Sequence, residues 1–443
     1  MTTEIKDLNI IKSLLDFYSS DLDKGFLHPR TNEIVYLDED DFTARVNFLN
    51  LALYKPEVIY VWGGDLAYSQ LEIWAPLIKK SKLKHAIFCK SLKGKTQAHA
   101  KLEKTPIFGI KEGFDTKNLA NFSTSVHSML YMTDKNENFG YMRAYPNLIH
   151  IAAHHGDSDK HASFNRLFGA FDYLLVADKN SMNRYLSANI QLTSDHFLTI
   201  GNSVIDGVTV GKKSNKLKNV LYAPTFEGHG ENVNYSSVFR AGNSILESNN
   251  INLMLRPHPG MGLREQKYKI EVERLKLKSV DNFKKNKMKQ FNWSDVLICD
   301  ISGVLSEYLF TEKPIIVPVS SSDGWLYNYI KNLDISKYVY LWDYNDISLD
   351  QILLEIEDDD SLYESRSKRR NELYCGVESI EQSVGLYDKA LQFTSQVKYW
   401  RDIKNISNFY KQESFLEDPK DPNLLKIVNE IRQGYSVLKF EIV

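Results

Sequence analysis

The stretch "HHGDSDK" (154–160) places two histidines, a glycine, two aspartates and a lysine directly after the apolar run "LIHIAA" (148–153). A buried strand that leaves the core on a tight glycine turn delivers its next residues to the rim of a sheet, where α/β proteins keep their ligands. Imidazole moves protons near neutral pH and a neighbouring carboxylate can orient it. Adjacent residues at a strand end point to opposite sides, so His154 and His155 are expected to differ in role. Gly156 permits the sharp exit. Asp157 or Asp159 can orient a ring, and the residues do not say which. Lys160 either begins the next helix or faces an anionic substrate. The plain alternative is a solvated turn with a capping aspartate. A metal site can be drawn through His154, His155, Asp157, Asp159 and His161, but carboxylates beside histidines on a turn are weak evidence for one, and no metal is expected.

Three later strand ends carry phosphate chemistry. In "LMLRPHPG" the prolines prevent continuation of strand or helix, so Arg256 and His258 sit on a stiff turn. Arginine offers a planar donor fork to phosphate, and histidine can donate to a phosphate oxygen or pass a proton. In "SDVLICDISGVLSEYLF" a buried strand runs into Asp300, Ser302 and Gly303 and then into an amphipathic helix. Amides at a helix start bind anions, and a Ser-Gly pair lets a phosphate approach them. Glu307, about one turn on, comes within reach of ribose hydroxyls. The alternative makes Ser302 an ordinary cap and Glu307 a surface acid. In "LYAPTFEGHGENVNYSSV" a strand ends near Thr225 in a loop rich in Gly, Asn and Ser, which is either a lid or a loop without a role; His229 reads as a surface residue.

No GxSxG, GxxxxGK[ST] or HExxH pattern occurs, which leaves nucleophile-elbow, Walker and zincin chemistry without support. A net charge of -2 over 443 residues argues against a dedicated nucleic-acid binder. The lysine runs "KKSKLKH", "KSLKGK" and "FKKNKMKQF" are solvated faces or local patches for an anionic polymer or a membrane surface. Three dispersed cysteines read as reduced thiols. With no signal-peptide pattern and no apolar run of bilayer length, the expected location is cytoplasmic, with any contact to the inner membrane face peripheral.

The elements that must hold these residues are short continuous apolar runs separated by helical spacing. "EVIYVW", "HAIFC", "PIFGI", "LIHIAA" and "YLLVA" form a first series; "NVLYAPTF", "INLMLRPHP", "DVLICDISG" and "KPIIVPVS" form a second, after a lysine-rich segment near residue 210. Continuous apolar character suits parallel strands covered by helices on both faces. The expected fold is α/β and GT-B-like, with two Rossmann-like doubly wound domains facing a central cleft. The expected boundaries are 1–208 for an acceptor-side domain, 209–385 for a nucleotide-donor domain, and 386–443 for C-terminal helices that cross back to the first domain.

In order and separation, "HHGDSDK", "YAPTF", "RPHP" and "SDVLICDISGV" resemble the motifs of the CDP-glycerol glycerophosphotransferases, the teichoic acid and capsule polymerase family; the resemblance covers roughly residues 145–320. It implies that His155 is the catalytic base and His258 a second functional histidine near the pyrophosphate, with Thr225, Arg256, Ser302, Gly303 and Glu307 on the donor side. The implied donor is a CDP-activated polyol phosphate and the implied acceptor an anionic polymer or glycan; no cofactor is implied. The chain departs from the family where Gly303 replaces a second hydroxyl residue, where Glu307 replaces an aspartate, and where "GNSVID" lacks Pro-Arg. Gly303 and Glu307 are similar to the pattern of nucleotide-sugar GT-B enzymes and UDP-N-acetylglucosamine 2-epimerases. A sugar donor, or a non-catalytic nucleotide-binding subunit, therefore stays open.

Overall fold

A computed structural model of the chain describes residues 54–62, 68–89, 125–132, 138–153, 166–188, 192–203, 205–211, 216–228, 234–280 and 286–413, with short pieces at 26–27, 34–35, 102, 105 and 107–109. Phe26–Leu27 (β1) and Ile34–Val35 (β2) form an antiparallel pair. Two larger sheets carry the fold, and every pairing in both is parallel. The first contains β3 (Val58–Trp62), β4 (His85–Cys89), β5 (Ile107–Gly109), β6 (Ser128–Tyr131), β7 (Ile149–Ala152), β8 (Tyr173–Val176) and β9 (Phe197–Thr199), in the order β5-β4-β3-β6-β7-β8-β9. The second contains β10 (Asn219–Ala223), β11 (Asn252–Leu255), β12 (Val296–Cys299), β13 (Ile315–Pro318) and β14 (Tyr340–Trp342), in the order β11-β10-β12-β13-β14.

The apolar runs are continuous because each strand serves two cores. Along β3, Val58, Tyr60 and Trp62 enter one cluster while Ile59 and Val61 enter the other. Along β12, Val296 and Ile298 face one side, Leu297 and Cys299 the other. Strand order reverses direction between β3 and β6 in the first sheet and between β10 and β12 in the second. At such switch points the loops leave the carboxyl edge in opposite directions and open a crevice for ligands.

One face of the first sheet is closed by the long C-terminal helix Ile380–Glu413, whose Tyr387, Ala390 and Leu391 join the β3 core. Three of its residues seven apart, Tyr387, Thr394 and Arg401, lie on one side of the helix and reach successive strands. Tyr387 contacts β3 and β4: Tyr60 donates to its hydroxyl oxygen, and Tyr387 donates to His85 Nε2 at 2.9 Å. The opposite ring nitrogen of His85 donates to Leu83 O at 2.8 Å, which closes the chain. At β6, His127 Nδ1 donates to Ser128 Oγ at 2.8 Å, Ser128 to Thr394 Oγ1 at 2.8 Å, and Thr394 to Leu391 O at 2.9 Å. Arg401 donates to Leu148 O, just before β7, at 2.8 Å and pairs with Asp172, just before β8, at 2.6 Å. Seven residues of helix advance about 10.5 Å, close to two strand spacings, so the heptad matches the sheet beneath it. Among the described residues no helix is long and apolar enough to cross a membrane.

The same C-terminal region joins the two halves. Asn202 N, beyond β9, donates to Leu373 O at 2.8 Å. Gly201 lies so close to Tyr374 that a Cβ there would stand 2.9 Å from its carbonyl oxygen; with φ at +73° the position requires glycine. Tyr374 in turn donates to the carbonyls of Ser306 and Glu307 at 3.1 and 3.2 Å, in the helix after β12. Arg369 is ion-paired with Asp178, which follows β8. Burial alone would raise the Asp178 carboxyl, but Arg369 and Ser181 outweigh it and hold it below its usual range. Ala177, at the carboxyl end of β8, packs directly into the second core.

Candidate active site

All five strands of the second sheet are parallel, so their carboxyl ends share one edge, and the order β11-β10-β12 makes three exits contiguous at the switch point. Arg256 follows β11, Thr225 lies two residues beyond β10, and Asp300 and Ser302 follow β12. The ladder continues past β11: Arg256 N donates to Tyr222 O at 2.8 Å and His258 N to Pro224 O at 3.0 Å, with Pro257, which has no N–H, between them. This extended spacing puts Arg256 and His258 on one face. The fold thus places Thr225, Arg256, His258, Ser302 and Gly303 at neighbouring strand exits.

Each of these residues is held differently. Arg256 is half-buried, and its Nη1 donates to Gln290 Oε1 at 2.6 Å; Gln290 is buried in the helix Lys287–Trp293. Three residues earlier on that helix, Lys287 donates to Glu307 Oε1 at 2.8 Å, with side-chain exposures of 19% and 15%. One helix therefore braces Arg256 and Glu307 together. Lys287 belongs to the run "FKKNKMKQF", and there the structure shows a paired cation instead of a solvated one. A carboxylate has about four acceptor positions, so this pair leaves Glu307 capacity for ribose hydroxyls.

His258 is exposed, and Gly260 N–H donates to its Nδ1 at 3.0 Å. A backbone amide can only donate, so Nδ1 is unprotonated and Nε2 carries the ring proton, the form that donates to a phosphate oxygen. Phe226, one residue beyond Thr225, packs on the ring with centroids 4.7 Å apart.

Ser302 stands at the cap position of Gly303–Tyr308 with extended backbone, φ -162° and ψ 167°, yet its side chain makes no cap bond. Its Oγ is buried and, among the described residues, has no hydrogen-bond partner. An unmade bond on a buried hydroxyl costs about 1–3 kcal/mol, so native proteins seldom leave one without reason. Asp300 is buried: its Oδ2 accepts from Thr225 N at 2.7 Å and its Oδ1 from Ser237 N at 3.0 Å. Burial pushes its carboxyl above the usual range against the pull of Arg240 and the Ser237 and Thr225 bonds. Thr225 itself is only 1% exposed and forms the floor under the switch point.

On the first sheet, β7 and Ala153 are described, while His154, His155, Gly156, Asp157, Asp159, Lys160 and His161 lie outside the described residues, as does His229. A cavity of about 50 Å³ marks that carboxyl edge, lined by Ala153 together with Ala177, Gly201, Asn202 and Ser203. Among the described residues no group of three or more His, Cys, Asp or Glu is placed to hold a metal ion. Reading from the sequence missed Phe226, Glu227, Lys287 and Gln290. Phe226 and Glu227 directly follow Thr225 in the quoted motif, whereas nothing local marks Lys287 or Gln290.

In solved structures the architecture recurs in a glycosyltransferase from Rickettsia africae, 10% identical, with a TM-score of 0.51 over 76% of this chain and 98% of that one. The wall teichoic acid polymerase TagF is 15% identical with a TM-score of 0.47, over 81% of this chain and 96% of that one. The UDP-GlcNAc 2-epimerase of Neisseria meningitidis is 14% identical with a TM-score of 0.47, over 76% of this chain and 99% of that one. At such identities the likeness is one of fold: two parallel α/β sheets in the GT-B arrangement. No curated protein matches the chain significantly. The family model for CDP-glycerol:poly(glycerophosphate) glycerophosphotransferase, however, matches residues 115–388, which take in "HHGDSDK" and the whole edge from Thr225 to Glu307. With well over half of its length matched, the chain belongs to this glycerophosphotransferase family, and is a transferase by family.

Proposed function

We propose that this protein transfers a polyol phosphate, glycerol- or ribitol-phosphate, from a CDP-activated donor to a hydroxyl of a growing teichoic-acid-like or capsular polymer. The observation that carries this reading is the contiguous edge at the second switch point, where Arg256, His258 and a buried, unpartnered Ser302 hydroxyl meet in a chain of this family. In the reaction the acceptor oxygen attacks the β-phosphorus, the bond from that phosphorus to the oxygen bridging it to the α-phosphate breaks, and CMP departs with that oxygen. His155 takes the acceptor proton. Arg256 balances charge on the diphosphate, the Nε2–H of His258 and the Ser302 hydroxyl donate to its oxygens beside Gly303, and Glu307 receives the ribose. Phosphoryl transfer of this type needs alignment and charge stabilisation more than covalent help from the protein.

Calorimetry with CDP-glycerol tests the donor side. Arg256→Ala should weaken binding by about 10- to 100-fold, the scale of a lost charge-assisted hydrogen bond. Ser302→Ala should weaken it several-fold. Arg256 is half-buried on the edge, and both variants should remain folded. Wild-type affinity in both would remove these residues from the donor site.

A further inference from the structure

We propose that Glu227 is a positioning residue for His258, fastening the loop that follows the histidine so that its ring is held for a donor phosphate. The inference rests on His258 being a phosphate donor in the proposed reaction.

Glu227 is only 2% exposed. Its Oε2 accepts from Gly262 N at 3.0 Å, and its Oε1 accepts from Arg264 N at 3.1 Å and Glu265 N at 3.3 Å. Arg264 returns the contact, its Nη1 donating to Gly228 O at 2.7 Å. Burial would raise this carboxyl, but the amide donors outweigh it and hold it below its usual range, so it is ionised at neutral pH.

The segment so gripped begins at His258. Met261 N donates to His258 O at 3.0 Å and Gly260 N to His258 Nδ1, so the turn that fixes the tautomer is the turn that Glu227 ties down four residues further on. Gly262 has φ at +74°, and a Cβ there would lie 2.8 Å from Lys269 N, which leaves the turn little room to rearrange. Phe226 and Glu227, consecutive residues at the exit of β10, thus act on the same loop: one packs on the ring and the other anchors the chain beyond it. Ladder bonds hold the loop before His258 and Glu227 holds it after, so loss of the carboxylate frees one end.

The test is a double-mutant cycle on CDP-glycerol affinity, using the full chain and calorimetry, with cooperative thermal unfolding confirmed for each variant. His258→Ala is expected to weaken binding at least about tenfold, and Glu227→Ala about five- to twentyfold. The double variant should bind within about twofold of His258→Ala, because Glu227 acts through a ring no longer present. A general stabilising role would not produce that non-additivity. If Glu227→Ala does not fold, Glu227→Gln replaces it: its amide oxygen keeps the Arg264 and Glu265 bonds but turns NH₂ toward Gly262 N–H, so a smaller loss is expected, again absent in the His258→Ala background. Multiplying losses, or wild-type binding by the Glu227 variant, overturns the proposal and leaves the role of His258 standing. Wild-type binding by His258→Ala overturns both.

Discussion

Replacing His155 with alanine is expected to lower turnover by at least about two orders of magnitude, the scale of a lost general base, while CDP-glycerol binding stays nearly unchanged. The split follows from the proposed reaction, which assigns donor contacts to residues at the second sheet's edge and proton removal to His155. β7 ends at Ala152, at the carboxyl edge of the first sheet, three residues before His155 in the sequence. His154→Ala should act mainly through stability, since adjacent residues leaving a strand point to opposite sides. Steady-state kinetics with saturating donor and acceptor, alongside calorimetry, check both. Near-normal turnover in His155→Ala, or an exchange of roles between the two histidines, would refute the assignment.

The second large effect is on stability in acid. His85 and His127 are buried in the first domain, and for each burial is the main cause of a pKa lowered to about 4. His85 already donates from Nδ1 to Leu83 O and accepts at Nε2 from Tyr387, so a second ring proton would oppose the Tyr387 hydroxyl. The unfolded chain protonates these rings near pH 6.5 and the folded chain near pH 4. Stability is therefore fully present above about pH 6.5 and is lost as pH falls toward 4, by about 3 kcal/mol for each ring. His150, whose ring is lowered by burial and bonded to Tyr131 and Tyr145, adds in the same direction. Against a typical stability of about 5–15 kcal/mol, losses of this order should lower the urea midpoint clearly between pH 7 and pH 4.5. Urea titrations at pH 7, 5.5 and 4.5 read this loss, and His85→Gln should flatten the slope by about one proton near pH 5.5. Stability constant from pH 7 to 4.5 would show that these rings are not held neutral.

What the sequence revealed of this molecule depended on how local each signal was. Runs such as "EVIYVW" and "DVLIC" announce strands because both faces are buried and no polar residue interrupts them. Ser128–Tyr131 escaped that reading: it starts on a polar residue, with His127 before it, and the partner that lets the Ser128 hydroxyl be buried is Thr394, 266 residues away. Tyr340–Trp342 escaped because it is a short edge strand, half-buried over two of its three residues. The candidate site divides in the same way. Arg256, His258 and Ser302 were legible because a strand end followed by Pro or Gly forces a turn at the sheet's edge. Their supports were not, since Gln290, Lys287 and Glu227 are brought to them by helix and loop packing that no local pattern encodes.

The proposed reaction stands or falls with the identity of the donor, and thermal protection of the full chain by CDP-glycerol, CDP-ribitol, CMP, UDP and UDP-sugars, each at matched concentration, reads that identity. At 100 times its dissociation constant a true donor should add about 2.7 kcal/mol of stability. A polyol-phosphate transferase should be protected by a CDP-polyol more than by CMP, and not at all by UDP-sugars. Protection by a UDP-sugar without any by CDP-glycerol or CDP-ribitol would contradict this reading and make the protein a sugar-nucleotide enzyme.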